Sequence, residues 1–450
     1  MNSIRDIVST IIYDIKNRLN TKKTRQKYKK SGKINPIADY FYNNNGKIIE
    51  KWDHYLDIYQ SHFEKFYNEP IILMEFGVFN GGSLDMWKYY FGDDTKIIGI
   101  DINIECKKFN SKNCEIHIGD QENRDFLKKL MANVKKIDVV VEDGGHEMNQ
   151  QINTFEEVFP YVNGGVFLIE DLHTSYWREY GGGYKKEGTF IEYAKNIIDS
   201  VNARHCDELK VNYYTKTIKS MSIYDSVIVF EKNDDNIIEK EINEEYYFKL
   251  SKKYLDKLNK PKKILIFNID KEKLNTMRNY FKDEVMIFGV SHDMELKKLQ
   301  NNETKIYIYN NEDEEFLNNL INKLGDVDVI IDNSFEVNEQ VKNFKNFFQS
   351  VKEKGLYITN NSHSSYLKEY GGGYKKEGTF IEYIKDLIDQ INAYHSKTEE
   401  LKVDNYTKTI KAIHIQDSLT IFEKDKSEKK TVIVSGNYFK RYLDFNLNFR

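Results

Sequence analysis

Residues Ile71–Ser83 read IILMEFGVFNGGS. An apolar run of strand length ends at Glu75 and gives way to Gly77, Gly81 and Gly82. Glycines at a strand-to-helix turn permit positive φ and let a ligand come close to the backbone. The helix that follows offers free N–H donors. Further along, Ile97–Asp101, Cys114–Ile118, Ile137–Glu142 and Gly165–Ile169 are apolar runs of the same length, each expected to be a buried strand. Met148, Ile152, Phe155 and Phe159 step by four, three and four residues, one face of a helix. Strands alternating with helices predict an α/β fold, a mostly parallel, doubly wound sheet covered on both faces. Ligands of such sheets bind beyond the carboxyl ends of the strands.

The chain also repeats itself. Glu179–Tyr193 and Glu369–Tyr383 both read EYGGGYKKEGTFIEY, and HTSYW from His173 is matched by HSSYL from His363. ELKVNYYTKTIKS from Glu208 is matched by ELKVDNYTKTIKA from Glu400, and DSVIVFEK from Asp225 by DSLTIFEK from Asp417. Upstream, IDVVVEDGGH from Ile137 faces VDVIIDNS from Val327, and IIEK occurs at Ile48 and at Ile237. An interval of about 190 residues is domain-sized, so a tandem duplication is expected rather than a solenoid. The expected division is an N-terminal segment 1–46, a first copy 47–235, a second copy 236–425 and a tail 426–450. The N-terminal segment carries a cationic run, Lys16 to Lys33, expected to begin as helix and to present a solvated face.

Composition narrows the function classes. With 40% hydrophobic and 31% charged residues, the 450-residue chain has a globular composition. Its 67 Lys+Arg against 71 Asp+Glu leave a net charge of −4, with no basic excess to drive nucleic-acid binding. Three cysteines without a C-x-x-C pair argue against a disulfide framework and for a reducing, cytoplasmic setting. No stretch has the ~18 apolar residues of a membrane span, and no signal-peptide pattern is present.

The strand ends carry the chemistry. Asp101 closes the second strand, where a carboxylate accepts from ribose hydroxyls. Gly119-Asp120-Gln121 follows the third, a carboxylate and an amide able to read an adenine edge. The fourth strand ends in Glu142-Asp143-Gly144-Gly145-His146 and the fifth in Glu170-Asp171-Leu172-His173. Acidic pairs on adjacent tips repel unless a cation lies between them, and carboxylate oxygens suit Mg²⁺. His146, on the turn of Asp143, has the residue type to remove a proton near neutral pH.

With these motifs in view, EFGVFNGGS resembles a class I S-adenosylmethionine-dependent methyltransferase. GDQ, EDGGH and IEDLHTSYW resemble the metal-dependent sugar O-methyltransferases of the mycinamicin and macrocin type and their cephalosporin-hydroxylase-like relatives. The resemblance covers about residues 59–190. It implies two tandem Rossmann-like methyltransferase domains, with S-adenosylmethionine and Mg²⁺ as cofactors. By match to the family, Asp143, Glu170 and Asp171 would bind the metal and His146 would be the general base. Glu75, Gly77, Gly81, Ser83, Asp101, Asp120 and Gln121 fall where the cofactor is held. The expected activity is methyl transfer to a sugar hydroxyl of a polysaccharide or glycosylated natural product. The alternative is a non-catalytic carbohydrate-binding or scaffold protein built from two such domains. Hydroxylation ranks lower, since oxygen-activating iron usually wants two histidines and this site offers one.

The second copy acts as a control. Gly77 becomes Asn268, Asp101 becomes Ser291, Asp120 becomes Asn310, and Asp143, Glu170 and Asp171 become Asn333, Asn360 and Asn361. At the turn of His146 only Phe335 or Glu336 is offered. Neutral amides do not draw Mg²⁺ out of water, so this copy is expected to be non-catalytic. His173 and EYGGGYKKEGTFIEY persist in it, and are expected to serve folding or domain contact. The copies are expected to dock as a pseudo-dimer, with a homo-oligomer as a further expectation.

Overall fold

The computed structural model describes residues 4–234, 244–258, 260–309 and 314–437. Asn310, the second IIEK at Ile237 and the tail beyond Asn437 lie outside them. In chain order the strands are β1 (Ile49–Trp52), β2 (Ile72–Phe76), β3 (Lys96–Asp101), β4 (Cys114–Ile118), β5 (Ile137–Glu142), β6 (Val162–Ile169), β7 (Ile218–Tyr224) and β8 (Val227–Lys232). There follow β9 (Lys263–Phe267), β10 (Met286–Ser291), β11 (Thr304–Ile308), β12 (Val327–Asp332), β13 (Val351–Thr359), β14 (Ile410–Gln416), β15 (Leu419–Lys424) and β16 (Val432–Ser435). The five strands expected of the first copy are present, with boundaries moved by three residues at most.

By their contacts the described residues form two compact units. The first runs to Thr174 and includes Glu179–Gly181 and the residues from Glu428 onward; the second is Ser175–Arg178 and Gly182–Ser427. These units divide the chain elsewhere than the repeat does. The end of the first repeat, from β7 onward, packs with the second repeat, and β16 of the tail packs with the first unit.

In the first unit the strand order is β4-β3-β2-β5-β6, every pair parallel. Leu73, Met74, Val139, Val140, Phe167 and Leu168 are wholly buried, as strands covered on both faces must be. From β2 the chain moves outward to β3 and β4, then returns to β5 on the other side of β2. That reversal makes the carboxyl ends of β2 and β5 the switch point of the sheet, outside which ligands of such folds bind. The helix Gly82–Phe91 follows β2 and buries Trp87 against Tyr59 and Phe63 of the helix Tyr55–Phe63, with ring centroids 5.2 and 5.8 Å apart. β1 pairs antiparallel with β16, from Ile49 opposite Ser435 to Trp52 opposite Val432. The helix Ile4–Ser31, which carries most of the cationic run, is pinned to β16. Thr21 Oγ1 donates to the Val434 carbonyl at 3.0 Å and accepts from its N–H at 2.9 Å.

In the second unit β11-β10-β9-β12-β13 repeat the parallel order of the first. The sheet continues antiparallel through β15, β14, β7 and β8. Between β7 and β14, Ser222 stands opposite His414, flanked by Ile223–Ile413 and Met221–Ile415. Ser222 and His414 are 192 residues apart, as are Asp225 and Asp417, so each repeat meets its own equivalent. The surrounding contacts are reciprocal. Lys195 Nζ donates to both Asp389 oxygens at 2.9 Å, and Lys385 Nζ to those of Asp199 at 2.8 and 3.0 Å. Tyr176 Oη donates to Asp389 at 2.9 Å and Tyr366 Oη to Asp199 at 2.8 Å. His205 meets Asp417 at 2.7 Å, and His395 meets Asp225 at 2.6 Å.

Among the described residues no helix is long and apolar enough to cross a membrane. Cys106, Cys114 and Cys206 are free thiols.

Candidate functional site

The tips of β2, β3, β5 and β6 meet in the first unit. Gly77 takes φ +86°, and a Cβ there would lie 1.9 Å from the Asp143 carbonyl oxygen, so the two turns approach more closely than any side chain allows. Gly81, φ +66°, caps the helix Gly82–Phe91. Asp101 ends β3 and fastens this turn: its Oδ2 accepts from the N–H groups of Val78 and Phe79 at 3.0 and 2.9 Å, and its Oδ1 from Asn103 at 2.8 Å. A carboxylate has about four acceptor positions, so room remains for a ligand hydroxyl. Beside it Phe79 and Ile102 are 61% and 72% exposed, an apolar rim suited to a flat ring. Asp120 Oδ1 accepts from Glu122 N–H at 2.8 Å.

Three of the expected cofactor contacts are engaged inside the protein. Ser83 Oγ and Trp87 Nε1 donate to Glu75 at 3.0 and 2.8 Å. Burial pushes the Glu75 carboxyl up to about 7, with those two donors acting against the rise. Gln121 Nε2 donates to Glu142 Oε1 at 2.7 Å, beneath Gly144.

The acidic turns converge as the sequence reading expects, with a different division of labour. Asp143, His146 and Asp171 each offer one ligand atom, all within 4.8 Å of one another. His146 Nε2 lies 3.4 Å from Asp171 Oδ2. His146 and Asp171 both hold left-handed backbone, φ +60° and +55°, a conformation costing an L-residue roughly 1–2 kcal/mol. Thr174 ties the two turns together, its hydroxyl 2.9 Å from the carbonyl oxygens of both His146 and Asp171. The buried His146 Nδ1 and Glu142 Oε2 have no hydrogen-bond partner. Two partly exposed carboxylates and an imidazole at this spacing, over orphaned buried polar atoms, fit a divalent cation.

Glu170 is turned inward and wholly buried. Its Oε1 accepts from Tyr59 Oη at 2.5 Å and its Oε2 from Lys51 Nζ at 2.8 Å. Lys51 also donates to Asp143 Oδ2, so one ammonium bridges two acids counted as metal ligands in the sequence reading. Burial works against that ammonium, but Asp143 and Glu170 hold its pKa above the ordinary lysine value. Burial and the nearby Asp143 raise Glu170 well above a normal carboxylate, and burial raises Asp143. Asp171 goes the other way: burial opposes ionisation, but His146 and His173 hold its carboxyl below the usual range, and Tyr55 Oη donates to it at 2.7 Å. His173, expected to serve folding or domain contact, borders the site, with Nδ1 3.8 Å from Asp171 Oδ1 and its ring against Trp52.

Lys51, Tyr55 and Tyr59 escape sequence reading. They come from β1 and the helix after it, upstream of the first glycine turn. The one available signal is that IIEK, which ends in Lys51, recurs at Ile237.

In the second unit the equivalent turns are closed by amides. Asn360 Nδ2 donates to Asn333 Oδ1 at 2.7 Å, Asn361 Nδ2 to the Asn333 carbonyl at 2.9 Å, and Asn333 Nδ2 to the Phe267 carbonyl at 2.9 Å. An amide both donates and accepts, so these residues satisfy one another where carboxylates would repel.

No family model matches the chain. Demethylmacrocin O-methyltransferase of Streptomyces fradiae is 30% identical over 189 residues, 39% of this chain and 47% of the relative. Mycinamicin VI 2''-O-methyltransferase of Micromonospora griseorubida is 30% identical over 194 residues, 39% of this chain and 48% of the relative. The chain thus spans about half the length of the curated relatives it matches. A solved structure of the MycE methyltransferase from the mycinamycin biosynthetic pathway, in complex with Mg, SAH and mycinamycin VI, is 28% identical and covers 42% of this chain and 52% of its own. Its TM-score is 0.38, too loose a superposition to add to the geometry above. Over about two fifths of its length, then, the chain is similar to O-methyltransferases.

Proposed function

We propose that the chain is an S-adenosylmethionine-dependent, Mg²⁺-dependent O-methyltransferase acting on a sugar hydroxyl, with the first copy, 47–235, catalytic and the second, 236–425, not. The observation that carries this reading is the convergence of Asp143, His146 and Asp171 beside the Gly77–Gly81 turn, against Asn333, Asn360 and Asn361 in the second unit. The sugar as acceptor follows the named activities of the relatives, among them an 8-demethyl-8-alpha-L-rhamnosyl tetracenomycin-C 2'-O-methyltransferase of Streptomyces olivaceus.

In this reading Asp101 holds the ribose hydroxyls of the methyl donor. Phe79 and Ile102 cover the flat base, and the Gly77 turn lets the ligand approach the backbone. Asp143 and Asp171 are the metal ligands within reach, with Glu170 behind them. A divalent ion bound there supplies Lewis-acid polarisation of the acceptor hydroxyl. His146 takes the hydroxyl proton at Nε2, the ring nitrogen that is not sealed in the protein, and Asp171 at 3.4 Å favours the resulting imidazolium. Thr174 fixes the turn from which the imidazole projects.

The reciprocal contacts of the second unit support an intramolecular pseudo-dimer of the two copies. The free cysteines support a reducing, cytoplasmic setting.

Transfer of labelled methyl from S-adenosylmethionine to candidate glycosides, with and without Mg²⁺, tests the proposal. One donor bound per chain, and loss of metal-dependent transfer in Asp143→Asn and Asp171→Asn, are expected. A chain that binds no donor would be the scaffold instead.

A further inference from the structure

We propose that Lys51 is the resident counter-cation of the strand-tip cluster, and that a divalent ion gains Glu170 and the second oxygen of Asp143 only by exchange with its ammonium. The inference rests on the metal-dependent reading above and adds to it how the site is regulated.

Three carboxylates, Asp143, Glu170 and Asp171, face one another across two adjacent strand tips. Without positive charge among them their mutual repulsion would push the turns apart. Lys51 supplies that charge from outside the parallel sheet. Its side chain is 3% exposed, its Nζ reaches Glu170 Oε2 at 2.8 Å and also bonds Asp143 Oδ2, and the Glu170 side chain is 1% exposed. Tyr59 holds the other Glu170 oxygen, so that carboxylate has no oxygen turned to solvent while the ammonium is in place. A divalent ion and an ammonium require the same lone pairs. Two cations on one pair of carboxylates also repel each other in a weakly screened site.

The ligands open to a metal with Lys51 bridging are therefore Asp143 Oδ1 and Asp171, with His146 Nε2 left for the proton. Glu170 joins only after the ammonium leaves. In the second unit Asn333, Asn360 and Asn361 carry no charge, and among the described residues their cluster closes on amide hydrogen bonds. Lys51 lies on β1, whose strand partner is β16, and β16 is pinned by Thr21 of the N-terminal helix.

Mn²⁺ is the probe, in the full chain. Its dissociation constant is measured by calorimetry for the unaltered protein and for Lys51→Met and Lys51→Gln, alongside Tm with and without the ion. Exchange predicts at least about tenfold tighter Mn²⁺ binding in both variants, since the competing charge is gone. It also predicts a lower metal-free Tm and a larger rise in Tm on adding Mn²⁺. Equal or weaker binding in the variants overturns the exchange and leaves the metal site standing. No Mn²⁺ binding by any of the three proteins overturns the metal-dependent reading and the exchange with it. Should neither variant fold, crystals of the unaltered chain grown with Mn²⁺ decide. Lys51 Nζ withdrawn from Asp143 and Glu170 supports exchange, and Nζ still bridging them beside a bound ion refutes it.

Discussion

His146 sits at φ +60°, where a side chain is a burden unless it does something a glycine cannot. The imidazole and its strained backbone can be separated experimentally. His146→Ala and His146→Gly both remove the proton acceptor, so both are expected to bind S-adenosylmethionine normally and to lose 10²–10⁴-fold in turnover. They should part in stability, Gly exceeding Ala by about 1 kcal/mol in urea unfolding because only Gly adopts the left-handed region freely. Equal stabilities would mean the strain is not held at this residue. Glu75 makes a second case. Its carboxyl keeps its proton up to about 7 in the folded chain but releases it near 4.5 when unfolded. Between those values the unfolded chain binds fewer protons, so stability falls as pH rises through the window and levels off above it, by up to about 3 kcal/mol. Glu75→Gln stays neutral and can still accept from Trp87, so over the same range its stability should fall by up to about 3 kcal/mol less than that of the unaltered protein. A fall parallel to that of the unaltered protein would assign the pH dependence elsewhere.

At the scale of elements, what could be read in advance follows from how local the signals are. β2, β3, β5 and β6 are mostly apolar runs closed by glycine or carboxylate, and both their positions and the polar residues at their tips are legible; β4, expected to be buried, is the edge strand and alternates, with Glu115 exposed. β1 is not legible. It is four residues long, carries Glu50 and Lys51, and becomes a strand only because β16, some 380 residues away, supplies the opposite edge. No pattern within either segment announces that pairing, so the lysine reaching the site was invisible with it. The inward turn of Glu170 was equally out of reach, because it depends on Tyr59 and Lys51. A two-stranded pairing of this kind is marginal by itself, so each strand needs the other. Ending the chain after Lys430 removes β16 and exposes Ile49, which is otherwise buried along with Ile433 and Val434. The expected loss is roughly 5 kcal/mol of stability, with rapid amide exchange over residues 49–52 where the full chain is protected. Unchanged protection there would show that β1 is held by something other than the tail.

At the scale of the whole molecule, the reciprocal contacts of the second unit give the chain two equivalent points of failure. Asp389 receives Lys195 and Tyr176, while Asp199 receives Lys385 and Tyr366, all with side chains nearly or wholly buried. Replacing either aspartate by asparagine leaves a buried ammonium short of its countercharge, a change that usually costs about 3–5 kcal/mol. Glu192 and Glu382 stay bonded to the two lysines at 2.6 and 2.7 Å and soften the loss, so about 3 kcal/mol is expected for each variant. The two losses should agree within about 1 kcal/mol, because the environments are related by the repeat. Asp389 belongs to the copy without a carboxylate cluster, so its replacement tests whether that copy has a purpose. Its partners Lys195 and Tyr176 belong to the first copy, so a first copy completed by its neighbour should be loosened by the Asp389 variant. Faster amide exchange over the helix Phe190–Val201 is the expected result, and exchange unchanged there would mean that the first copy does not rest on its neighbour.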